Sequence, residues 1–194
     1  MKSFSQFGQD LIVLDLFGKN KFFIDIGCCD GIDGSNTYLL ELNGWNGIAS
    51  DPFPTNFDIR KNTILDTSPV FSHSNQLISF AKAGAVGGIE TCIDKFKHHP
   101  HVVMAEKVNL ITISLYDLLE KYNAPKYIDY LSLDTEGSEY EILSTFNFEV
   151  YKFGFITTEH NGQEEKRMKM RSLLEKNGYY LYKEHEIEDY YKYQ

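Results

Sequence analysis

Apolar residues recur along this chain in two rhythms: short unbroken runs bounded by turn residues, and longer stretches with apolar positions three and four apart. The first fit strands buried on both faces, the second amphipathic helices. Residues 21–26 predict a first strand, leading through Gly27-Cys28-Cys29-Asp30-Gly31 to a helix over 37–42. Ser35 or Asn36 can cap that helix and Asn43-Gly44 ends it. A second strand over 47–50 runs into Asp51-Pro52, followed by a helix over 55–61 and a third strand over 63–65 ending near Asp66.

The middle is less regular. Residues 77–81 predict an extra strand and the glycine-rich 83–88 a flexible loop, while His98-His99-Pro100-His101 breaks any helix. Residues 66–109 thus read as a variable excursion over the active face. Order returns at Ser114-Leu115-Tyr116-Asp117, which resembles a capping box, with Leu115, Leu118, Leu119 and Tyr122 on one helical face. A strand over 127–133 ends at Asp134, a helix covers 138–146, and a strand over 153–158 ends at Glu159-His160-Asn161. An exposed helix over 164–177 stops at Gly178, and 179–183 predicts a closing strand. This alternation predicts an α/β fold on a mostly parallel sheet, whose ligands gather at the carboxyl ends of the strands.

Composition narrows the class. At 194 residues the chain is read as one domain, 1–194, large enough for a sheet covered on both faces. A net charge of −9 opposes a general nucleic-acid surface, which needs a basic field. No apolar run approaches the roughly twenty residues of a membrane span, and Met1–Gln6 lacks the apolar core of a signal peptide, so a soluble cytoplasmic protein is expected. Cys28, Cys29 and Cys92 have no metal-ligand spacing and are expected as reduced thiols.

The first strand and turn carry the most chemistry. Asp25-x-Gly27-x-x-x-Gly31 differs from the Gly-x-Gly-x-x-Gly of dinucleotide sites, because Cys29 replaces the glycine that lets backbone approach a pyrophosphate. A cofactor without a pyrophosphate tolerates that change, and S-adenosylmethionine fits. On this reading Asp25, Gly27 and Gly31 frame the methionyl moiety with Asp30 beside it. Asp51, followed by Pro52, accepts from the ribose hydroxyls, and Asp66 to Ser68 neighbour the adenine. The plainer alternative is that Gly27 and Gly31 only make a tight strand-to-helix turn. Cys28 and Cys29 are read as small loop residues rather than nucleophiles, since no nearby histidine lowers a thiol pKa.

In four blocks the chain resembles the FkbM family of S-adenosylmethionine-dependent methyltransferases. Ser5-Gln6-Phe7-Gly8-Gln9-Asp10 is similar to the family's N-terminal block, and Phe23–Gly27 with Asp30-Gly31 and Ser35-Asn36-Thr37 to its cofactor loop. Tyr130–Glu139 resembles its Asp-x-Glu-Gly-x-Glu signature, and Glu159-His160 the acidic end of its next strand. Asp51 departs from the family's usual Glu, and Cys28-Cys29 from its usual small residues. The resemblance implies a class I methyltransferase (Rossmann-like) fold: three α/β/α layers around a mostly parallel seven-stranded sheet with its last strand antiparallel. It also implies S-adenosylmethionine as cofactor and O-methylation of a sugar or other small-molecule hydroxyl. Gln6, Gln9, Asn36 and Asp134 join the expected cofactor contacts, with Gln6 and Gln9 on a segment folded over the cofactor.

Methyl transfer from a sulfonium is an in-line displacement, and an alcohol acceptor needs a base or a metal to become a good nucleophile. Adjacent strand ends offer Asp134, Glu136, Glu159 and His160 for base catalysis. Alternatively, Asp134, Glu159 and Asn161 hold Mg²⁺ through oxygen ligands. Each has a duller reading: His160 as a sheet-edge hydrogen-bonding group, Glu136 as a helix N-terminal charge, Glu139 and Glu141 as a solvated face. His98, His99 and His101 read as a loop contacting substrate rather than a metal cluster, and the tyrosine-rich tail as strand alternation. Two other functions stay open, a non-catalytic S-adenosylmethionine-binding regulatory domain and a nicotinamide-dependent oxidoreductase.

Overall fold

The computed structural model describes residues 2–93 and 95–194. The chain opens with α1 (Gln9–Phe17), β1 (Phe22–Ile26), α2 (Tyr38–Leu42), β2 (Asn46–Ser50) and β3 (Thr63–Asp66). Next come β4 (Val70–Phe71), β5 (Leu77–Lys82), β6 (Gly88–Ile89), α3 (Pro100–Val103), β7 (Glu106–Ile111) and β8 (Ile113–Ser114). It closes with α4 (Leu115–Lys121), β9 (Tyr127–Leu133), α5 (Glu139–Ser144), β10 (Lys152–Glu159), α6 (Glu164–Lys176), β11 (Tyr179–Glu184) and β12 (Glu188–Tyr193).

Seven strands form the main sheet in the order β11-β12-β10-β9-β1-β2-β3. The pairs β3–β2, β2–β1, β1–β9 and β9–β10 are parallel, and β12 alone runs against its neighbours. This is the mostly parallel α/β sheet expected from the pattern, with the final strand of the chain antiparallel. Successive side chains of a strand point to opposite faces. Phe23 accordingly joins a buried cluster with Val13 of α1 and Leu40 of α2. Ile24 and Ile26 join another with Leu118 of α4, Ile142 of α5 and Leu174 of α6. The near-continuous apolar runs of the central strands follow from burial on both sides.

Four expectations change. First, α1 was not anticipated, because its Gln9 and Asp10 are buried and hide the amphipathic pattern. The Asp10 carboxylate accepts from the Ser3 and Ser5 hydroxyls at 2.6 and 2.8 Å and from the Phe4 amide at 2.8 Å, folding the N-terminal segment back on the helix. Second, residues 55–61 are not helical. Thr55 exchanges backbone bonds with Cys29 and Gly31 instead, both 2.9 Å, and Asn56 adopts φ 56°. Tertiary pairing overrides the local helical tendency.

Third, the 66–109 excursion is built rather than loose. β5 pairs with β6 and β7 in a three-stranded antiparallel sheet, and 83–88 carries a short 3-10 turn and β6. Pro100 starts α3 instead of preventing it, as proline suits the first helical turn. Fourth, the closing strand is one arm of a hairpin. β12 inserts between β10 and β11, and its buried Glu188 and Asp189 conceal its strand pattern. Tyr190 and Tyr191, also on β12, are fully buried core residues.

One buried side chain ties the loop after β1 to α2 and β3. Arg60 donates to Glu41 at 2.5 Å, to the Gly31 carbonyl at 2.9 Å, and to the Thr37 and Thr63 hydroxyls at 3.1 and 3.0 Å. Its guanidinium also lies 5.5 Å from the Tyr38 ring centroid and 5.4 Å from that of Phe57. Breaking a buried ion pair from one side strands the other charge, at a cost of about 3–5 kcal/mol. Arg60→Ala is therefore expected to lose that much stability in urea melts; a loss under about 1 kcal/mol would contradict this role.

Candidate active site

The carboxyl ends of β1, β2, β9 and β10 open into one cleft of about 420 Å³, within the range of small-molecule sites. Ten of the expected site residues line it: Gln6, Asp25, Gly27, Asp30, Asn36, Asp51, Pro52, Asp134, Glu136 and Glu159. So does Asn161. Gly31, Gln9, Asp66, Ser68 and His160 do not. The excursion supplies an opposite wall through Phe80, Val86, Ile89, Lys95 and Phe96. Sequence patterning placed Phe80 in a strand but singled out none of the five as site residues.

On the β1 side, Gly27 follows the strand at φ 80°, and its amide donates to the Ser50 carbonyl at 2.9 Å. A Cβ there would lie 1.6 Å from the Asp134 carbonyl oxygen, so only glycine lets the β1 and β9 ends meet. Asp25 is buried and accepts from the Thr37 hydroxyl at 2.6 Å. Burial raises its pKa, against the pull of Thr37 and Arg60. Asp51 accepts from the Cys29 amide at 3.1 Å and the Phe53 amide at 2.7 Å, one on each oxygen, and burial raises its pKa. Asn36 donates to the Ser132 hydroxyl at 3.0 Å, and its buried Oδ1 has no partner.

Asp30 is at the cleft, yet its carboxylate is spent on the loop. It accepts from the Ile32 and Asp33 amides at 2.8 and 2.9 Å, from Thr55 at 2.8 Å and from Asn56 at 2.6 Å. Burial opposes its ionisation, but these bonds together hold its pKa below the usual carboxylate range. Cys28 and Cys29 are loop residues whose thiols burial pushes up, Cys29 to about 11, so neither is a thiolate at neutral pH.

The expected residues outside the cleft lining each have partners elsewhere. Gln9 accepts from the Phe7 amide at 2.9 Å and donates to the buried Glu188 at 2.9 Å, tying α1 to β12. Gly31 binds the 55–60 segment through its amide and carbonyl. Asp66 accepts from Lys121 at 2.7 Å, Tyr122 at 2.9 Å and the Ser68 amide at 2.7 Å, which leaves the pair bracing β3 against α4. His160 faces α6 instead. Its Nδ1 accepts from the Gly162 amide at 3.1 Å, so the proton sits on Nε2, 3.9 Å from Asp189. Burial lowers its pKa and removes it from the cleft. His98, His99 and His101 also lie away from the cleft.

The β9–β10 side gathers like charges. Oxygens of Asp134, Glu139 and Glu159 lie within 4.8 Å of one another. Glu139 is buried rather than solvated, and its Oε1 accepts from the Thr135 amide and hydroxyl and the Gly137 amide at 2.7, 2.9 and 3.1 Å. It thereby shapes the loop that aims Glu136, which sits at φ 59°. Gly137 lets the excursion pack onto this loop, since a Cβ there would lie 2.2 Å from the Cys92 carbonyl oxygen. Burial, then repulsion among the carboxylates, raises the pKa values of Asp134, Glu136 and Glu159.

Asn161 turns its amide nitrogen, not its oxygen, toward this cluster: Nδ2 donates to Glu159 at 2.6 Å and to Glu136 at 3.2 Å. Asp134, Glu159 and Asn161 therefore do not present three oxygen ligands to a magnesium ion.

Raised carboxylates make stability depend on pH. Asp134, Glu136 and Glu159 ionise near pH 4 in the unfolded chain but hold their protons higher in the fold. Above about pH 4 the folded state thus binds more protons than the unfolded one, and stability falls as pH rises. Asp30, Glu41 and Asp66, with lowered values, act oppositely: the stability they add above their unfolded pKa is lost as pH falls through their folded one. The ligand-free domain is expected to melt at its highest temperature near pH 5 and lower by pH 8. A Tm that climbs steadily to pH 8 would refute the charge crowding.

A mostly parallel α/β sheet with an acidic cleft at its carboxyl edge defines a class whose small-molecule sites lie at that edge. Within it, this chain belongs to the FkbM methyltransferase domain family, whose model matches residues 25–181 of the 194. No curated protein and no solved structure matches the chain. No helix among the described residues is long and apolar enough to cross a membrane.

Proposed function

We propose that this domain transfers the methyl group of S-adenosylmethionine to a hydroxyl oxygen of a small-molecule or sugar acceptor, on a Rossmann-like, three-layer class I methyltransferase fold spanning 1–194. The observation that carries this reading is one cleft bordered by the Asp25–Gly27 turn and Asp51 on one side and by the Asp134, Glu136 and Glu159 carboxylates on the other.

The donor set fits the cofactor. Seven carboxylates line the cleft beside one basic side chain, Lys95, a field that favours an ammonium and a sulfonium and disfavours a pyrophosphate. Each Asp51 oxygen accepts one backbone amide and keeps a lone pair for a ribose hydroxyl. Asn36 Oδ1 is a buried acceptor awaiting a donor. Asp25 and the backbone around Gly27 suit the amino-acid end.

When bound, the cofactor supplies an electrophilic methyl group. The residues supply position and a base. Asp134 takes the acceptor's hydroxyl proton, with a Glu159 oxygen within 4.8 Å beside it. Burial, then crowding, raises the proton affinity of the cluster, which makes Asp134 a stronger base than an exposed aspartate. The inward Asn161 nitrogen favours this route over a magnesium ion held by Asp134, Glu159 and Asn161, and full turnover is expected after exhaustive chelation.

Calorimetry with S-adenosylmethionine, followed by transfer of a radiolabelled methyl to a panel of hydroxylated acceptors, tests the reading. Binding without transfer would favour a regulatory domain, and NAD binding an oxidoreductase. Asp51→Ala removes two charge-assisted hydrogen bonds of roughly 1.5–3 kcal/mol each, so affinity is expected to fall at least about a hundredfold. Unchanged affinity would overturn the ribose assignment.

A further inference from the structure

His160, Asn161 and Gly162 form a turn that carries one polar arm into the cleft. The Ile187 carbonyl accepts from the His160 amide at 2.8 Å and the Asn161 amide at 3.1 Å, and the Gly162 amide closes onto His160 Nδ1. Asn161 sits at φ 53°, a left-handed conformation that asparagine tolerates better than most residues. From there its nitrogen reaches Glu159 at 2.6 Å and Glu136 at 3.2 Å, while its oxygen accepts from Lys95 at 3.4 Å. Reversing the amide would set its NH₂ against the Lys95 ammonium that its oxygen now meets, so the surroundings favour this orientation.

We propose that Asn161 is the positioning residue of the carboxylate cluster, its amide NH₂ tying Glu136 of the loop after β9 to Glu159 of β10 so that both face the acceptor beside Asp134. The reaction it serves rests on the methyltransferase reading above; the tie itself is a property of the ligand-free domain. Glu136 and Glu159 arrive from different strand ends and repel each other, and no other hydrogen bond joins them among the described residues. The charged groups around them are Asp134 and Glu139 from the β9 end and Lys95 from the excursion, while Glu188 of β12 and Asp25 of β1 act on Asp134.

An amide suits this place for a specific reason. It donates to both carboxylates without titrating and without adding charge, so it favours their ionised forms yet leaves the cluster basic. A lysine there would neutralise the cluster, and an aspartate would add another repelling acceptor. The duller account is that asparagine is present only because the turn needs a left-handed residue. Asn161→Gly and Asn161→Asp separate the two, since both tolerate that backbone and neither keeps the amide NH₂.

The experiment is an NMR pH titration of the glutamate side-chain carboxyl carbons in wild type, Asn161→Gly and Asn161→Asp, with thermal melts to confirm folding. The midpoints of Glu136 and Glu159 are expected to rise by about one pH unit in Asn161→Gly and further in Asn161→Asp. Calorimetry of the wild type with S-adenosylmethionine decides the reaction separately, so the two readings fail independently. Variants that fold and titrate as wild type would reduce Asn161 to a turn former and overturn the proposal.

Discussion

Gly27→Ala is expected to abolish S-adenosylmethionine binding and to remove at least about 3 kcal/mol of folding stability. The added methyl would overlap the Asp134 carbonyl oxygen at 1.6 Å, and that oxygen belongs to backbone, not to a side chain able to swing away. The φ of 80° adds strain for any residue with a Cβ. Relief requires the β1 and β9 ends to part, yet the Asp134 amide is bonded to the Ile26 carbonyl at 3.0 Å at that junction. The same movement would separate Asp25 from Asp134, and with them the two sides of the cleft. Urea melts and calorimetry measure both effects; a variant that folds and binds normally would show that the junction is looser than its geometry.

Asp134→Asn is expected to lower methyl transfer by about 10²–10⁴-fold, the usual contribution of a general base. Cofactor affinity should fall far less, because Asp25 and Asp51 remain. Stability should move the other way. Removing one member of a crowded set lets Glu136 and Glu159 ionise more easily, so the variant should melt higher than wild type at pH 8. Lost turnover with gained stability marks groups held together for chemistry rather than for folding. Turnover within tenfold of wild type would remove Asp134 from the base role.

Much of the scaffold was legible before any coordinates, because burial on both faces writes central strands as apolar runs. β1, β2, β9 and β10 were placed to within a residue or two, and the Ser114 cap is present, its hydroxyl accepting from the Asp117 amide at 3.1 Å. Illegible elements share a cause: their polar residues are buried against partners far along the chain. Gln9 and Glu188 lie 179 positions apart, yet hydrogen-bond and together disguise α1 and β12. Arg60, within the segment expected as a helix, is buried by the convergence of Glu41, Thr37 and Thr63 on it.

The chain's linear pattern sufficed for β1, β2, β9 and β10, their acidic ends and the Gly27 turn, because strand ends in a parallel sheet share one edge whatever their loops do. It could not say which way a side chain leaves that edge. Glu159 enters the cleft while its neighbour His160 turns under α6, and Asn161 returns with its nitrogen forward. Those directions depend on pleat, on a left-handed turn and on the Ile187 carbonyl of a distant segment. Only packing in three dimensions sets them, and they decide which of the expected acids and bases can meet a substrate.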